Sequence, residues 1–150
     1  MKLFIFLLFS INCYSQHEFI TIWNSEVHEP NNSIQIPIYQ NDSTYSYSWQ
    51  LVDDNFTPIE PFSLETIMPI SSGVLSINFP VPGLYRIKIE TNSTKFHIRH
   101  NEGGYSGEEL LNIEQWGNIN WSSFNQSFLN CIFMDISATD IPNLQSVTDL

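Results

Sequence analysis

Histidines and carboxylates are the residues of this chain that could hold a metal ion or move a proton. The histidines are scattered, and only His97 and His100 lie close together in the sequence. If His97 lies in a strand, a side chain three residues further along points to the opposite face of the sheet. This geometry disfavours a metal site shared by the two rings. The sequence predicts no metal site, no cofactor and no catalytic residue.

Two pairs of adjacent carboxylates bear on whether the chain is an enzyme. Asp53-Asp54 and Glu108-Glu109 lie in segments that have no strand pattern. Acidic pairs in such loops are ordinarily solvated, and weak calcium binding is the alternative. Glycoside hydrolysis needs two carboxylates about 5 to 10 Å apart across a cleft, and no spacing of the acidic residues favours that. The chain has no Gly-x-Ser-x-Gly, phosphate loop or zinc motif, so a secreted hydrolase ranks last among three hypotheses.

Composition and charge exclude one class of partner. Lys and Arg together number 5 against 16 Asp and Glu, for a formal net charge of −11. Such a surface repels phosphate backbones, so we expect no binding to nucleic acid. Hydrophobic residues make up 42% of the chain and aromatic residues 14%, which is enough for a packed core.

The N-terminus has the pattern of an export signal. Met1-Lys2 is followed by the apolar run LFIFLLFSI, which is shorter than the about 20 residues that a membrane span needs. We predict a signal peptide over 1–15, cleaved before Gln16, with an uncleaved anchor or a buried strand as the alternative. The mature protein would then be secreted or held at a cell surface, without a transmembrane span.

The cysteines depend on how this signal is processed. Cleavage before Cys13 followed by lipidation is an alternative to simple secretion, which we favour because Asn12 is not the small residue that lipidation sites require. Without Cys13 the mature chain has Cys131 alone and no internal disulfide. Cys131 lies in an apolar pattern, which favours a buried small hydrophobe over a nucleophile.

Residues 17–100 show the alternation of apolar and polar positions that is typical of short strands. Six runs carry it, at 19–23, 34–38, 44–51, 74–79, 84–90 and 95–99. Close spacing without helical periodicity predicts a mainly β domain, an antiparallel β-sandwich. Pro37 places the second run at a sheet edge, because proline cannot donate to a ladder. The turn of Pro80, Pro82 and Gly83 predicts that the runs beside it form a hairpin.

Two parts of this region are candidates for binding. The connection over 52–72 contains three prolines and is a candidate binding loop. Tyr45, Tyr47 and Trp49 alternate along one strand and share one face. If that face is exposed, the rings form a platform for sugar; the more common role of such a stripe is the core of the sandwich.

The C-terminal part is predicted to be one strand-helix unit and the start of a second. Residues 101–109 are glycine-rich and predict a linker. A strand follows from Leu110, and the spacing of Trp121, Phe124 and Phe128, continued to Ile132, favours one face of a helix. Alternation returns at 134–138, and 142–150 would open a second helix. The step from Ile113 to Ile136 falls in the leucine-rich-repeat range of about 20 to 29 residues.

Two pieces of the middle region resemble the polycystic-kidney-disease (PKD) type of β-sandwich. One is Pro82-Gly83-Leu84-Tyr85-Arg86-Ile87, like that family's proline-glycine-x-tyrosine start of a late strand. The other is Tyr47-Ser48-Trp49, where the family has a tryptophan before a glycine-aspartate-glycine turn. Here Trp49 is followed by Gln50-Leu51-Val52-Asp53-Asp54 without glycine, so no role of that turn is carried over.

The C-terminal part resembles the BspA-like leucine-rich-repeat surface proteins of bacteria. The resemblance rests on Ile113-Glu114-Gln115-Trp116-Gly117-Asn118-Ile119 and on Ala138-Thr139-Asp140-Ile141-Pro142-Asn143-Leu144. In that family a signal peptide and a PKD-like module precede a repeat array, which implies a sandwich over 17–100 and the start of the array over 110–150. A stable stack needs about three repeats, so we expect a fragment of a longer protein or a truncated gene.

The resemblance implies a non-enzymatic, secreted or cell-surface binding and adhesion protein. Its ligand would be another protein or a cell surface, bound through surface contacts rather than through catalytic residues. A carbohydrate-binding accessory module is the alternative function, with the aromatic residues of 45–49 exposed.

Overall fold

The structure is a computed structural model that describes residues 17–28, 32–39, 42–69, 72–100 and 107–149. The signal peptide predicted over 1–15 lies outside these residues, as do Cys13 and positions 101–106 of the predicted linker. The remaining linker positions form a 3-10 helix, Gly107–Glu109, in which Gly107 and Glu109 are buried.

The described residues form nine strands in two sheets. The strands are β1 (Glu18–Asn24), β2 (Ser33–Tyr39), β3 (Tyr45–Val52), β4 (Thr66–Met68), β5 (Ser72–Asn78), β6 (Leu84–Thr91), β7 (His97–Ile98), β8 (Leu110–Gln115) and β9 (Asp135–Ile136). One sheet has the order β4-β3-β6-β1-β8-β9 and the other the order β5-β2-β7. All pairs are antiparallel except β8 with β9. The prediction of a mainly β chain is confirmed.

The two sheets share one apolar core, as expected for a sandwich. Alternate residues of β1, among them Phe19 and Trp23, pack in one cluster with Ile36 of β2 and Ile77 of β5, and all four are at most 2% exposed. Each of the six predicted runs contains a strand. β4 was not predicted; it lies inside the connection over 52–72.

The prediction that the second run lies at a sheet edge is wrong, because β2 is the middle strand of its sheet. Proline nevertheless has the expected effect on the ladder. β7 pairs with β2 only at Ile38 and Tyr39, and the next contact is the Arg99 N–H donating to the Pro37 carbonyl at 3.0 Å. The pairing ends there because the Pro37 nitrogen has no hydrogen to return.

The predicted hairpin of the fourth and fifth runs is also wrong. β5 pairs with β2 in the smaller sheet, whereas β6 pairs with β1 and β3 in the larger one. The turn between them, which contains Gly83, therefore carries the chain across the core. Alternation shows which face of a strand is buried but does not identify the neighbouring strand, so a hairpin and a crossover have the same pattern.

The C-terminal segment joins the larger sheet. β8 pairs antiparallel with β1, and its continuation brings Trp116 and Trp121 against Phe19, with ring centroids 6.0 and 5.3 Å apart. Phe124 and Phe128 extend this aromatic cluster. The core of the sandwich therefore continues into the segment that follows the predicted linker.

The two predicted helices are wrong, because the described residues contain no α-helix. Between Trp121 and Ile132 the chain forms successive turns, with N–H groups of Ser127, Leu129 and Cys131 donating to carbonyls three residues earlier. Gln126 and Asn130 have φ of 58° and 61°, which ends any helix. The second predicted helix, over 142–150, is likewise replaced by a turn at 145–146. A leucine-rich-repeat unit with a helix is not shown.

Ile113 and Ile136, whose spacing suggested a repeat, are paired residues on neighbouring strands of the structure. β8 and β9 are parallel, and Ile113 lies opposite Ile136. The same spacing recurs at Asn120 and Asn143, 23 residues apart, which form a parallel bridge and a 2.8 Å side-chain hydrogen bond. Residues 109–131 and 132–149 are therefore two stacked coils, here called the first and the second coil.

Candidate functional site

A groove of about 630 Å³ lies where the larger sheet's strands begin or end. Its floor is a row across three strands, since Ser46 of β3 lies opposite Ile67 of β4 and Glu90 of β6. Glu18 of β1 is the next residue in that row. These side chains alternate with core residues and so occupy the outer face of the sheet.

The walls of the groove come from distant parts of the sequence. His17 precedes β1, Asn118 and Asn120 follow β8, and Glu65 precedes β4. The remaining lining residues lie at the strand ends: Thr44, Tyr45, Thr91 and Asn92. Neutral amides and hydroxyls are the majority of the groups, which makes this a hydrogen-bonding site rather than an apolar one.

The charges at the floor are partly neutralised. Lys88 Nζ lies 3.1 Å from Glu18 Oε1 and 3.5 Å from Glu90 Oε1. Burial raises the pKa of the Glu18 carboxyl against the opposing effect of Lys88, and the two glutamates raise the pKa of Lys88 against its own burial. Glu18, Lys88 and Glu90 therefore form one cluster of charges, and Glu90 is its member in the lining of the groove.

A second candidate surface is the free end of the stacked coils. β9 is the last strand of the larger sheet, and large apolar side chains around it are exposed. They are Ile132, Phe133, Ile136, Ile141 and Leu144, between 44% and 84% exposed; we call them the coil surface. Residues 107–149 contain no Lys, Arg or His, so the formal charges that the coils themselves carry are all acidic.

Comparisons with protein-family models, with curated proteins and with solved structures find no match. The proposals that follow therefore rest on the geometry and on the sequence.

The histidines and acidic pairs considered as possible metal ligands or catalytic groups do not come together in the structure. His97 Nε2 lies 3.0 Å from the Asn125 carbonyl, whereas the His100 ring is buried against Trp23 at a centroid distance of 6.3 Å. Asp53 accepts the N–H groups of Asn55 and Thr57 and thereby orders the turn after β3. Across the described ranges, no three His, Cys, Asp or Glu side chains form a group that could hold a metal ion.

The aromatic stripe belongs to the core side of β3. Tyr45 is 3% exposed, and Tyr47 and Trp49 are partly buried against the core cluster. Trp49 packs edge-on against Phe79 and Tyr85, at 5.5 Å from each. The stripe therefore has the structural role, and it offers no exposed platform to a sugar ring.

Two further predictions concern single residues. Cys131 packs against the core as predicted, and burial raises the pKa of its thiol to about 12, which keeps it protonated. The expectation of a solvated Glu108-Glu109 pair is wrong for Glu109, which is buried at the end of the 3-10 helix. No pattern in the sequence distinguishes these two glutamates.

The described part of the connection over 52–72 runs beside β3. Its backbone follows the edge of β3 beyond the residues that pair with β4, with the Ile59 N–H donating to the Leu51 carbonyl at 2.9 Å. Arg86 Nη2 donates to the Phe56 carbonyl at 2.8 Å, so this segment is tied to β6 as well.

The helices of the described residues include none that is long and apolar enough to cross a membrane.

Proposed function

We propose that this chain is a non-enzymatic, exported binding protein that acts through contacts with other proteins or cell surfaces. The observation that carries the proposal is the set of exposed apolar side chains on the second coil. A parallel stack with a fixed step is the principle of repeat proteins, in which each unit buries its apolar face against the next. In the described residues the coil surface presents such side chains to solvent.

The exposed apolar area is a reason to expect a partner. Full burial of one large aliphatic or aromatic side chain is worth about 1.5–3 kcal/mol, and the coil surface holds five that are 44% to 84% exposed. Exposed apolar side chains that are grouped on one part of a protein often mark a site that binds a partner. The acidic residues around it favour a partner whose surface is apolar and basic.

The signal-like N-terminus and the resemblance to BspA-like surface proteins support the same proposal. Export would place the protein where adhesion takes place, and the PKD-like region would carry the coils away from the anchor or membrane. In this proposal the protein is bacterial, secreted or surface-bound, and its ligand is a protein or cell-surface component. It needs no catalytic group and no cofactor.

A direct test measures adhesion of the fluorescently labelled full chain to bacterial and host cells by flow cytometry. The double variant Phe133→Ser/Ile141→Ser should reduce binding at least about tenfold, equivalent to roughly 1.4 kcal/mol. Leu64→Ser is the matched control, because Leu64 is 91% exposed but lies on the sandwich. Absence of wild-type binding to all cells, or equal losses in both variants, would contradict the proposal.

A further inference from the structure

We propose that the groove at the strand ends binds a neutral saccharide. The ring would lie on the floor formed by Ser46, Ile67 and Glu90, between the wall of Asn118 and Asn120 and the wall of Glu65. The site goes beyond the proposed function, since it lies at the strand ends of the larger sheet and shares no residue with the coil surface.

The type of hydrogen-bonding group favours a polyhydroxylated ligand. A sugar hydroxyl both donates and accepts, so it is best matched by amides, which offer both functions, and by carboxylates, which accept from two hydroxyls at once. The groove combines three asparagines with two glutamates. Pockets that hold small ligands have volumes of about 300–1,000 Å³, and the groove, at about 630 Å³, lies within that range.

The charges argue against ionic ligands. Of the described residues, those that line the groove include no Lys or Arg, and His17 is the basic side chain among them. An anion would therefore lie close to the carboxylates of Glu65 and Glu90. A cation is disfavoured for a different reason, because Lys88 already lies 3.5 Å from Glu90. Neutral hydrogen-bonding groups are therefore the dominant feature left for a ligand.

Parts of the groove are held in position before any ligand arrives. Asn143 Nδ2 donates to Asn120 Oδ1 at 2.8 Å, which fixes the orientation of the Asn120 amide. The Thr91 hydroxyl accepts the Ser93 N–H at 3.0 Å and is likewise fixed. Preorganised groups lose less entropy on binding. Ile67, at 73% exposed, supplies the apolar surface against which the C–H face of a sugar ring packs.

The experiment is a titration of the full chain, followed by ¹H–¹⁵N NMR, with cellotriose, maltotriose, mannotriose and chitotriose as probes. At least one probe should shift the amides of Ser46, Thr91 and Asn118. Asn92→Ala/Asn118→Ala should weaken that binding at least tenfold, since both residues line the groove and both are exposed. Asn55→Ala, an exposed asparagine elsewhere on the sandwich, should leave it unchanged.

Three results would overturn the proposal. One is that no probe shifts the groove amides at about 10 mM, a concentration that detects even millimolar binding. The second is a loss of affinity in Asn55→Ala equal to that in the groove variant. The third is that hexalysine, and not the sugars, shifts those amides, which would assign the groove to basic peptides. Adhesion through the coil surface is measured separately, so its failure and the failure of this site are distinguishable.

Discussion

Glu109 carries a carboxyl group that burial has removed from water. Its pKa is raised to about 7 by desolvation, against the opposing effect of the Gln35 backbone N–H. A raised folded-state pKa means that the folded state binds more protons than the unfolded state, so stability falls as the pH rises from about 4.5 to about 7. The full effect of such a shift is about 3 kcal/mol.

Replacing Glu109 by Gln keeps an acceptor for Gln35 and removes the titration. Relative to this variant, the wild type should lose up to about 3 kcal/mol of unfolding free energy between pH 4.5 and pH 8. Urea unfolding of both proteins at each pH measures the difference. Glu26→Gln, at an exposed position, controls for the loss of one negative charge; the same pH dependence in that variant would refute the assignment to Glu109.

Gly117 shows how tightly the first coil approaches β1. Its φ is 65°, and a Cβ there would lie 2.3 Å from the Glu18 carbonyl oxygen. Gly117→Ala should therefore destabilise the protein by about 2 kcal/mol or more, from the left-handed conformation and the clash with backbone together. Gly73→Ala is the matched control, since nothing lies within 4 Å of its added Cβ. Equal melting temperatures for both variants would contradict the packing described.

At the scale of elements, a largely buried ion pair joins the two neighbours of β1. Arg86 Nε of β6 donates to Glu114 Oε2 of β8 at 2.5 Å, and Nη2 donates to Oε1 at 2.9 Å. Because β1 lies between β6 and β8, the two side chains meet over β1. They do so on the face of the sheet that carries Ile22, which is fully buried. Arg86 also donates a hydrogen bond to the Phe56 carbonyl. The position of the connection that follows β3 therefore depends on the same guanidinium.

Removing only one partner of this pair should be worse than removing both. Arg86→Met leaves a carboxylate unpaired, with an expected loss of about 3–5 kcal/mol, whereas Arg86→Met/Glu114→Met should recover part of it. Chemical unfolding of the two single variants and the double variant gives the coupling energy. Hydrogen exchange at Asn55 and Thr57 should also accelerate in Arg86→Met. Additive losses would mean that the pair makes no joint contribution.

Elements were predictable from the sequence where one local pattern has one structural meaning. Alternation around Ile36 and Ile87 identified strands because a period of two is satisfied by little else. The spacing of Trp121, Phe124 and Phe128 was ambiguous, since turns around a shared aromatic cluster place side chains on one side as a helix does. The asparagines and serines between them were the available signal for turns, because their side chains compete for backbone groups.

At the scale of the whole molecule, the sequence predicted the spacing between the two stacked coils. It did not predict which other parts of the chain the coils contact. The separation of Ile113 and Ile136 is local and could be counted. The pairing of β1 with β8 and the groove both bring together residues that are distant in the chain, such as Ser46 and Asn118. No periodicity records such contacts, so the groove could not be predicted.

The shared core predicts that sandwich and coils fold together. Phe19 packs against Trp116 and Trp121, and β1 has β8 as one of its two neighbours. Residues 17–100 alone would leave the β8 edge of β1 unpaired and the aromatic cluster open, which costs several buried side chains at about 1.5–3 kcal/mol each. Since a whole domain has only about 5–15 kcal/mol of stability, this fragment should not fold.

The measurement compares residues 17–100 with 17–149 by ¹H–¹⁵N NMR and by urea unfolding. The longer chain should unfold in one transition that tryptophan fluorescence and circular dichroism report at the same midpoint, and the shorter one should give poorly dispersed spectra. A dispersed spectrum from residues 17–100, or two separate transitions in the longer chain, would mean that the coils are an independent addition. The aromatic cluster around Phe19 would then contribute far less to stability than its burial implies.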